Sequence, residues 1–327
     1  MRRRITGLKG VQAAHAKIEA DFQRDIFELE KKYADKYRPL YERRRALIEG
    51  QVEPSAEEVE EGFNNESEDE LEIDSEDEEA EPTERELPAE PTADELAAAP
   101  KGIPEFWLTA LKNHLGLSEL ITERDEEALK FLVDIRIVYP KEKAGFTLAF
   151  DFAEGAKAFF SNTTLEKTYF YQEEVGYEGD FVYDHATGTE INWVDGKNLT
   201  VRIETKKQRN KNTNQTRIVK KAVPTDSFFT FFSPPKVPTD EDDELDDDID
   251  EKLELDYQIG EDLKERVVPR AIDFFTGKAL RYEQDNADFD SDEFDDDEDD
   301  DDEEDSDEDG PVRRAVAPPA APAQVSH

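Results

Sequence analysis

The chain has 327 residues, of which 85 are acidic and 41 are basic, so its formal net charge at pH 7 is -44. Charge of this sign and size disfavours binding to DNA, RNA and anionic membranes, and it speeds encounter with cationic partners. The absence of cysteine excludes disulfides and thiolate metal sites. Since no apolar run is long enough to span a membrane and no signal-peptide pattern occurs, we expect a cytosolic or nuclear protein with a basic partner.

Residues 1–50 predict one long helix, from Leu8 to about Glu49. Its apolar residues recur at spacings of four, four and three, which places them in a single stripe. The helix would be roughly 60 Å long, whereas a compact domain built from the remaining foldable chain would be roughly 40 Å across. The stripe either lies on the chain's own core or pairs with the same helix of a second subunit, and its length favours a symmetric dimer. The predicted dimerisation residues are Ile18, Phe22, Ile26, Leu29, Tyr33, Tyr37 and Leu40.

Residues 51–100 are rich in Glu, Asp, Pro, Ala and Ser, as in NNESEDELEIDSEDEEAEPTERELPAEP. Low hydrophobicity with high charge cannot offset the entropy lost on ordering, so we expect a largely flexible acidic accessory segment. Its first part, PSAEEVEEGF, predicts a short helix. Ser67 and Ser75 precede acidic residues, which fits either acid-directed phosphorylation or a tract that simply includes serine.

Residues 101–239 predict an α+β domain. Helical spacing runs through GIPEFWLTALKNHLGL, and Thr122 with Asp125 resembles the capping box of a further short helix. Period-two alternation predicts a hairpin of FLVDIRIVY and GFTLAFDF, and further strands at TYFYQ, GDFVYD, EINWV and LTVRIET. The fold class is therefore α+β, a long dimerisation helix plus an antiparallel β-sheet covered by helices. The residues expected to share one face of each of the first two strands are Phe131, Val133, Ile135, Ile137 and Tyr139, and Phe146, Leu148, Phe150 and Phe152.

The motif SFFTFFSPP places four phenylalanines ahead of two prolines, which stop any regular element. Large aromatic side chains are mostly buried, so this motif favours core packing over an exposed aromatic site. We assign it a structural role. The four residues are Phe228, Phe229, Phe231 and Phe232.

A basic segment, KKQRNKNTNQTRIVKK, stands out within this acidic chain. It lies between the strand-like runs LTVRIET and IVKKAV, so we interpret residues 199–223 as a projecting β-hairpin with an Asn-rich tip. Its lysines either protect a solvated edge from aggregation or form a nuclear-import signal, and the surrounding negative charge argues against direct DNA contact. The predicted nuclear-localisation residues are Lys206, Lys207, Arg209, Lys211, Arg217, Lys220 and Lys221.

Two acidic segments follow the domain. Residues 240–282 open with an acidic loop, EDDELDDD, and continue into helical DYQIGEDLKERVVPRAIDFFTGKAL. Residues 283–327 predict a disordered acidic tail. The tail contains Phe289 and Phe294, which are either incidental or anchor the tail in an apolar pocket of the partner, since charge alone gives little geometric preference.

The sequence lacks the motifs of catalysis and of metal binding. It has neither a phosphate-binding glycine loop nor a His-Glu-x-x-His helix, and its four histidines are scattered. His185 in YDHATGTEINW is interpreted as a turn residue rather than a general base. Asp288, Asp290 and Asp292 alternate as in a calcium-binding EF-hand loop, but Glu293 replaces its obligatory glycine. We predict no enzymatic activity, no cofactor and no specific metal site.

The chain resembles the nucleosome assembly protein family of histone chaperones, and it looks more similar to the fungal founding type than to the branch called SET. The resemblance extends from about residue 8 to residue 310. It rests on five ordered motifs, which are GIPEFWLTALKNH, KTYFYQEEVGYEGDFVYDHATGTEINW, KKQRNK, SFFTFFSPPK and LDYQIGEDLKERVVPRAIDFFTG.

This resemblance implies an obligate homodimer through the long helix, with the two α+β domains forming a dome whose concave underside is acidic. It also implies binding of core histones, both the two-histone dimer that flanks the nucleosome and the central tetramer. Contact with an import receptor through residues 206–221 would let the protein shuttle between nucleus and cytoplasm. Direct binding to nucleic acid or to membranes is not expected.

The expected function is that of an ATP-independent histone chaperone, which prevents non-specific histone–DNA contacts and promotes nucleosome assembly. Each exposed ion pair contributes only about 0–1 kcal/mol, but many pairs on a linked tail and domain give tight, salt-sensitive binding. The predicted histone-binding residues are Asp242, Asp243, Glu244, Asp246, Asp247, Asp248, Phe289, Asp290, Asp292, Glu293, Phe294, Asp295 and Asp296.

Two alternatives use the same acidic surfaces. One is a regulatory adaptor that inhibits a phosphatase or escorts basic proteins to importins. The other is a low-affinity calcium buffer, which the ordered domain disfavours. Only a histone chaperone is required to suppress non-nucleosomal histone–DNA binding, so that property separates the three functions.

Overall fold

The structure is a computed structural model that describes residues 1–74, 87–89, 91–141, 143–176, 181–209, 216–235 and 249–280. Its α-helices are α1 (Arg2–Ile48), α2 (Ala56–Asp74), α3 (Ala93–Ala98), α4 (Phe106–Lys112), α5 (Leu115–Leu120), α6 (Glu123–Leu129), α7 (Ile249–Asp262) and α8 (Ala271–Thr276). Its strands are β1 (Leu132–Val138), β2 (Gly145–Phe152), β3 (Thr164–Val175), β4 (Phe181–Gly188), β5 (Val201–Arg209) and β6 (Thr216–Pro224). Short 3₁₀ helices span Glu154–Ala158 and Phe228–Phe232, and a π-helical turn spans Leu263–Val267.

The long N-terminal helix is confirmed, and α1 begins six residues earlier than predicted and continues through Pro39. The helix ends at Ile48, and Gly50 two residues later has a φ of 63°, in the left-handed region that follows many helix ends. A Cβ atom at Gly50 would lie 2.3 Å from the backbone nitrogen of Gly102. The Ile103 N–H donates to the Ile48 carbonyl at 2.8 Å, so the end of α1 is fastened to the start of the α+β domain.

The accessory segment contains more helix than its composition predicts, because α2 extends well beyond PSAEEVEEGF. The Ser55 N–H donates to Glu58 Oε2 at 2.7 Å, and the Glu58 N–H donates to Ser55 Oγ at 3.2 Å, a reciprocal capping box. Arg43 of α1 donates two further hydrogen bonds to the Glu58 carboxylate, at 2.8 and 2.9 Å. The helix predicted at PSAEEVEEGF is therefore present, capped and joined to α1, while the flexibility expected of the accessory segment stays a prediction.

The central sheet is an antiparallel meander in the order β1-β2-β3-β4, and β5 and β6 form a separate two-stranded hairpin. These six strands confirm the α+β fold class and the hairpin around residues 199–223. The strand predicted at EINWV is wrong, because only Trp193 forms a bridge, to Phe160. The chain turns at once, with the Lys197 N–H bonded to the Val194 carbonyl at 2.9 Å.

The predicted inner face of β1 is only partly right. A bulge between Leu132 and Asp134 shifts the register against β2, so that both of these residues are buried together with Ile135. Val133 and Phe131, which were expected on the shared face, are only partly buried. On β2 the prediction is confirmed, since all four predicted side chains are buried.

The phenylalanine motif lies in the core, as predicted. Phe228, Phe229, Phe231 and Phe232 are all buried, and three of their rings lie within 6.0 Å of Phe150. Asp125 of the predicted capping box has a further role, because its carboxylate accepts hydrogen bonds from the Ser227 hydroxyl (2.6 Å) and the Phe228 N–H (3.0 Å). One buried carboxylate thus orients both α6 and the phenylalanine motif.

His185 lies in strand β4 and not in a turn, so that expectation is wrong. Its ring stacks on Phe170 at 4.7 Å, and its Nδ1 lies 2.7 Å from the Asp184 carboxylate. Both members of the pair are exposed. Cross-strand stacking on the pleated sheet outweighed the turn-forming residues around it.

Among the described residues, no helix is long and apolar enough to cross a membrane. The same residues contain no cluster of three or more His, Cys, Asp or Glu side chains that could hold a metal ion. The candidate EF-hand alternation at Asp288, Asp290 and Asp292 lies outside the described residues.

Candidate functional site

The predicted stripe of α1 is exposed along almost its whole length. Phe22 is 59% exposed, Ile18 is 69% exposed and Leu40 is 66% exposed. Leu29, Tyr33 and Tyr37 are exposed as well, and Ile26 is partly buried. Six large apolar side chains therefore lie in solvent on one face of a single chain, which is the arrangement expected of an interface without its partner.

Sequence reasoning missed the N-terminal extension of this stripe. Ile5, Leu8 and Val11 are exposed and follow one another at intervals of three along α1. The apolar spacing of these residues could have revealed the extension. It continues the stripe toward Arg2 if the helix is taken to begin before Leu8. The exposed face therefore covers most of the 47-residue helix.

A different face of α1 packs on the chain's own domain. Phe27 is buried, with ring centroids 5.7 Å from Tyr139 and 5.8 Å from Phe181. The Glu30 carboxylate lies 3.6 Å from Lys264 Nζ. Phe27 and Ile48 are the buried residues of the helix, so the half that precedes Phe27 projects beyond its own domain.

A groove of about 970 Å³ runs between the exposed side of α1 and the β1 edge of the sheet. Tyr33, Tyr37 and Tyr41 line it on the helix side, with successive ring centroids 6.2 and 6.3 Å apart. Ile137 and Pro140 line the opposite wall. The groove and the exposed stripe are continuous through Tyr33 and Tyr37.

Charged side chains join α1 to the sheet at the end of this groove. Asp151 accepts hydrogen bonds from Arg45 (2.8 Å), from Nε and Nη2 of Arg136 (2.7 and 3.0 Å) and from the Thr164 hydroxyl (2.8 Å). Burial acts to raise the pKa of Asp151, but these donors outweigh burial and hold the pKa below its usual value. Asp151 is therefore a fully satisfied carboxylate.

Asp134 lines the groove beside Asp151, but one of its carboxylate oxygens lacks a hydrogen-bond donor in the described part of the chain. It is 2% exposed, and its Oδ1 atom is buried without a hydrogen-bond partner among the described residues. Burial raises the pKa of Asp134 to about 6, against the opposing charges of Arg44 and Arg45. The native state consequently binds a proton at Asp134 more readily than the unfolded chain does.

We expect the pH dependence of stability to reveal this carboxylate. Because the native pKa is raised, the cost of ionising Asp134 is absent well below pH 4, grows as the pH rises through 4 to 6, and is complete above about pH 6. The free energy of unfolding of Asp134→Asn, minus that of the wild type, should increase by about 1–1.5 kcal/mol between pH 5 and pH 7.5. Urea unfolding of both proteins at a series of pH values measures these free energies. All of the pH values lie above the isoelectric point of 4.3.

The exposed aspartate Asp195, replaced in the same way, is the matched control for the loss of one carboxylate. A difference for Asp134→Asn that does not change from pH 5 to pH 7.5 would contradict the raised pKa of Asp134.

The predicted acidic histone-binding residues 242–248 and the tail residues 289–296 lie outside the described residues. The acidic run continues into the described chain at the start of α7, where Asp250, Glu251 and Glu254 are exposed. The structure therefore describes α7, the helix that directly follows the predicted acidic cluster in the chain.

The predicted basic hairpin forms in continuous antiparallel register, with Thr205 opposite Lys220 and Arg209 opposite Thr216. Its base is held by Arg124, whose guanidinium donates to the carbonyls of Asn198 (3.4 Å) and Val201 (3.3 Å). The backbone of β5 and β6 carries all but one of the predicted nuclear-localisation residues, Lys211 lying outside the described residues, and the Lys221 side chain is exposed.

Comparison with known proteins places these features in a family. The family model described as nucleosome assembly protein matches residues 3–278. The chain is 44% identical over 288 residues to the nucleosome assembly protein of Saccharomyces cerevisiae, covering 86% of this chain and 66% of that protein. It is 42% identical over 299 residues to nucleosome assembly protein 1-like 1 of Xenopus tropicalis, covering 89% of this chain and 72% of that protein.

A solved structure agrees with these matches. Nucleosome assembly protein 1 from Plasmodium knowlesi superposes with a TM-score of 0.50 at 29% identity, covering 84% of this chain and 96% of that one. Fold and surface together define an acidic α+β protein that presents a long helix with an exposed apolar stripe. The chain belongs to the nucleosome assembly protein family, and this membership agrees with the prediction that it is not an enzyme. It spans just under two thirds of the length of the Saccharomyces relative.

Proposed function

We propose that this protein is an ATP-independent histone chaperone. The observation that carries the proposal is the family match across residues 3–278 in a chain with a net charge of -44. Core histones are strongly basic, so the acidic segments 240–248 and 283–310 supply complementary charge. The chaperone lowers the activity of free histone, so that incorrect histone–DNA contacts dissociate while the more stable nucleosome still forms.

The proposed active form is a homodimer. A second copy of α1 would cover the stripe from Ile5 to Leu40 and fill the adjoining groove, because the same apolar spacing on both helices makes the surface self-complementary. No segment of the described chain covers this face. Dimerisation would place two acidic domains side by side and so raise the affinity for one histone complex through linkage.

We further propose that the hairpin formed by β5 and β6 contacts an import receptor and lets the protein move between cytoplasm and nucleus. Its support is a run of basic residues on a two-stranded hairpin of an otherwise acidic protein. Residues 101–239 and 240–282 then serve as the histone-binding domain and its acidic C-terminal extension.

A competition experiment tests the chaperone function. A fluorescently labelled core-histone dimer is bound to DNA at about 0.15 M salt and titrated with the full chain. We expect histone to leave the DNA at micromolar or lower protein concentration, and a subsequent assembly reaction to yield nucleosomes protected against nuclease. A control titration with serum albumin, which is acidic but unrelated, should release much less.

If the full chain releases no histone at micromolar concentration, the chaperone function is wrong. A regulatory adaptor that inhibits a phosphatase or escorts basic proteins to importins would then account better for the acidic surfaces.

A further inference from the structure

Three consecutive arginines begin α1, and a threonine follows them closely. In the sequence MRRRITG, Arg3 and Arg4 stand three and two residues before Thr6. Thr6 is the only serine or threonine of the chain that has arginines at both of these positions. Protein kinases with carboxylate-lined substrate grooves select arginines there, because a guanidinium group forms paired hydrogen bonds with a carboxylate. The motif therefore marks a phosphate acceptor for which the proposed function has no use.

Thr6 and the three arginines before it are accessible to an enzyme. All four side chains are exposed. The Thr6 hydroxyl donates to the Arg2 carbonyl, one turn back in the same helix, at 3.1 Å. Phe27 is the first buried residue of α1, so this turn belongs to the half of the helix that projects beyond its own domain.

The first turn of α1 must open, because kinases bind their substrates as extended chains. Its composition favours opening. Met1 caps the helix without a side-chain hydrogen bond, and the first turn contains no acidic residue. Three positive charges lie instead at the positive end of the helix dipole, where positive charge is unfavourable. Helix ends open at little cost in free energy, so residues 1–8 can become extended while the rest of α1 stays helical.

Thr6 lies away from the apolar stripe of α1. At about 100° per residue, Thr6 is about 160° around the helix from both Leu8 and Phe22. A phosphate group on Thr6 would therefore stay in water while a second copy of the chain covers the stripe. The modification is compatible with the proposed dimer.

We propose that Thr6 is a phosphorylation site for a protein kinase that selects basic substrates, and that Arg3 and Arg4 are the residues by which the kinase recognises it. The kinase transfers the γ-phosphoryl group of ATP to Oγ1 of Thr6, a base of the kinase takes the hydroxyl proton, and ADP is released. This inference goes beyond the proposed chaperone function and does not depend on it.

The phosphate changes the charge at the start of α1. A phosphothreonine carries a charge of about -1.5 to -2 at pH 7, and it forms charge-assisted hydrogen bonds with nearby arginines. Arg2 and Arg3 lie four and three residues before Thr6, which is the spacing of neighbours on a helix. The phosphate should therefore stabilise the first turn of α1 once the helix re-forms, and amide hydrogen exchange at residues 4–8 should become slower.

The full chain incubated with the catalytic subunit of cyclic AMP-dependent protein kinase, magnesium and ATP tests the proposal. We expect phosphate on Thr6, located by fragmentation mass spectrometry, and none at this position in Thr6→Val. The double variant Arg3→Gln with Arg4→Gln should be phosphorylated at least about tenfold more slowly, because it loses charge-assisted hydrogen bonds to the kinase. Thr6→Ser should keep the modification, since serine offers the same hydroxyl.

The matched control removes two positive charges elsewhere on the same helix. Arg24→Gln with Lys32→Gln changes two exposed residues of α1, and it should leave the rate of phosphorylation at Thr6 unchanged. The phosphorylated protein should sediment with the same mass as the unmodified protein. A fall in mass on phosphorylation would show that Thr6 belongs to the covered face of α1.

A synthetic peptide of residues 1–12 separates the two ways in which the proposal can fail. If the kinase modifies the peptide but not Thr6 in the full chain, the first turn does not open and the site is wrong. If the kinase modifies neither, the arginines are not recognised and the site is equally wrong. Histone binding is measured separately, so either failure leaves the chaperone function standing.

Discussion

Replacing Phe22 and Leu29 together with aspartate is expected to convert the proposed dimer into a monomer. Both residues are exposed on the single chain and lie at the middle of the stripe. In a symmetric pair of helices the two substitutions bury four carboxylates against apolar surface, and each unpaired buried charge costs several kcal/mol. We therefore expect the dimer dissociation constant to rise at least about a thousandfold.

Sedimentation equilibrium at micromolar concentration measures this change. The wild type should have twice the chain mass of 37.5 kDa and the variant should have the mass of one chain. The control is Ile272→Asp, because Ile272 on α8 is as exposed as Phe22, at 59%, but lies outside the stripe. A wild type that sediments as one chain, or a variant that still sediments as two, would show that the stripe is not the dimer interface.

Ending the chain at Tyr282 is expected to produce the second large effect, a loss of at least about tenfold in affinity for a core-histone dimer at 0.15 M salt. The removed residues include DFDSDEFDDDEDDDDEEDSDEDG. Each exposed ion pair is weak, but a tail linked to the domain acts at high effective concentration. The dependence of affinity on salt should become shallower in the truncated protein, because fewer charges take part.

A tail of identical composition with its acidic residues in scrambled order is the control, and it should retain most of the affinity. Equal histone removal by the full chain and by the version ending at Tyr282 would show that the tail plays no part. The same assay tests the two aromatic residues of the tail. If they anchor it, Phe289→Ala with Phe294→Ala lowers affinity without changing charge; an unchanged affinity makes them incidental.

Local patterns in the sequence were sufficient for most of the elements. The long helix follows from the spacing of its stripe, β2 follows from strict alternation, and the capping box at Thr122 and Asp125 is confirmed by hydrogen bonds of 2.8 and 3.0 Å. These signals depend on residues that are close together in the sequence, so they can be recognised without the tertiary structure. The net charge of -44, and with it the expectation of a basic partner, is likewise independent of the fold.

Interpretations failed where a distant residue outweighed a local preference. The helix at PSAEEVEEGF was predicted, but the contact of Arg43 on α1 with Glu58, which supports the first turn of α2, was not. The alternation predicted for β1 holds from Ile135 onward and fails before it, because a bulge between Leu132 and Asp134 shifts the register against β2. His185 was placed in a turn by its neighbours and lies in a strand because of its pairing with Phe170.

The sequence by itself determined the α+β class, the long helix with one apolar stripe, the basic hairpin and the acidic character of the protein, because periodicity and charge are properties of short stretches. Only the tertiary structure decided which face of α1 is left exposed, since that depends on the packing of Phe27 against Tyr139 and Phe181. Only the tertiary structure brought the buried side chain of Lys167, on β3, to Asp256 on α7, 89 residues along the chain. A buried charge finds its partner through packing, which no local pattern records.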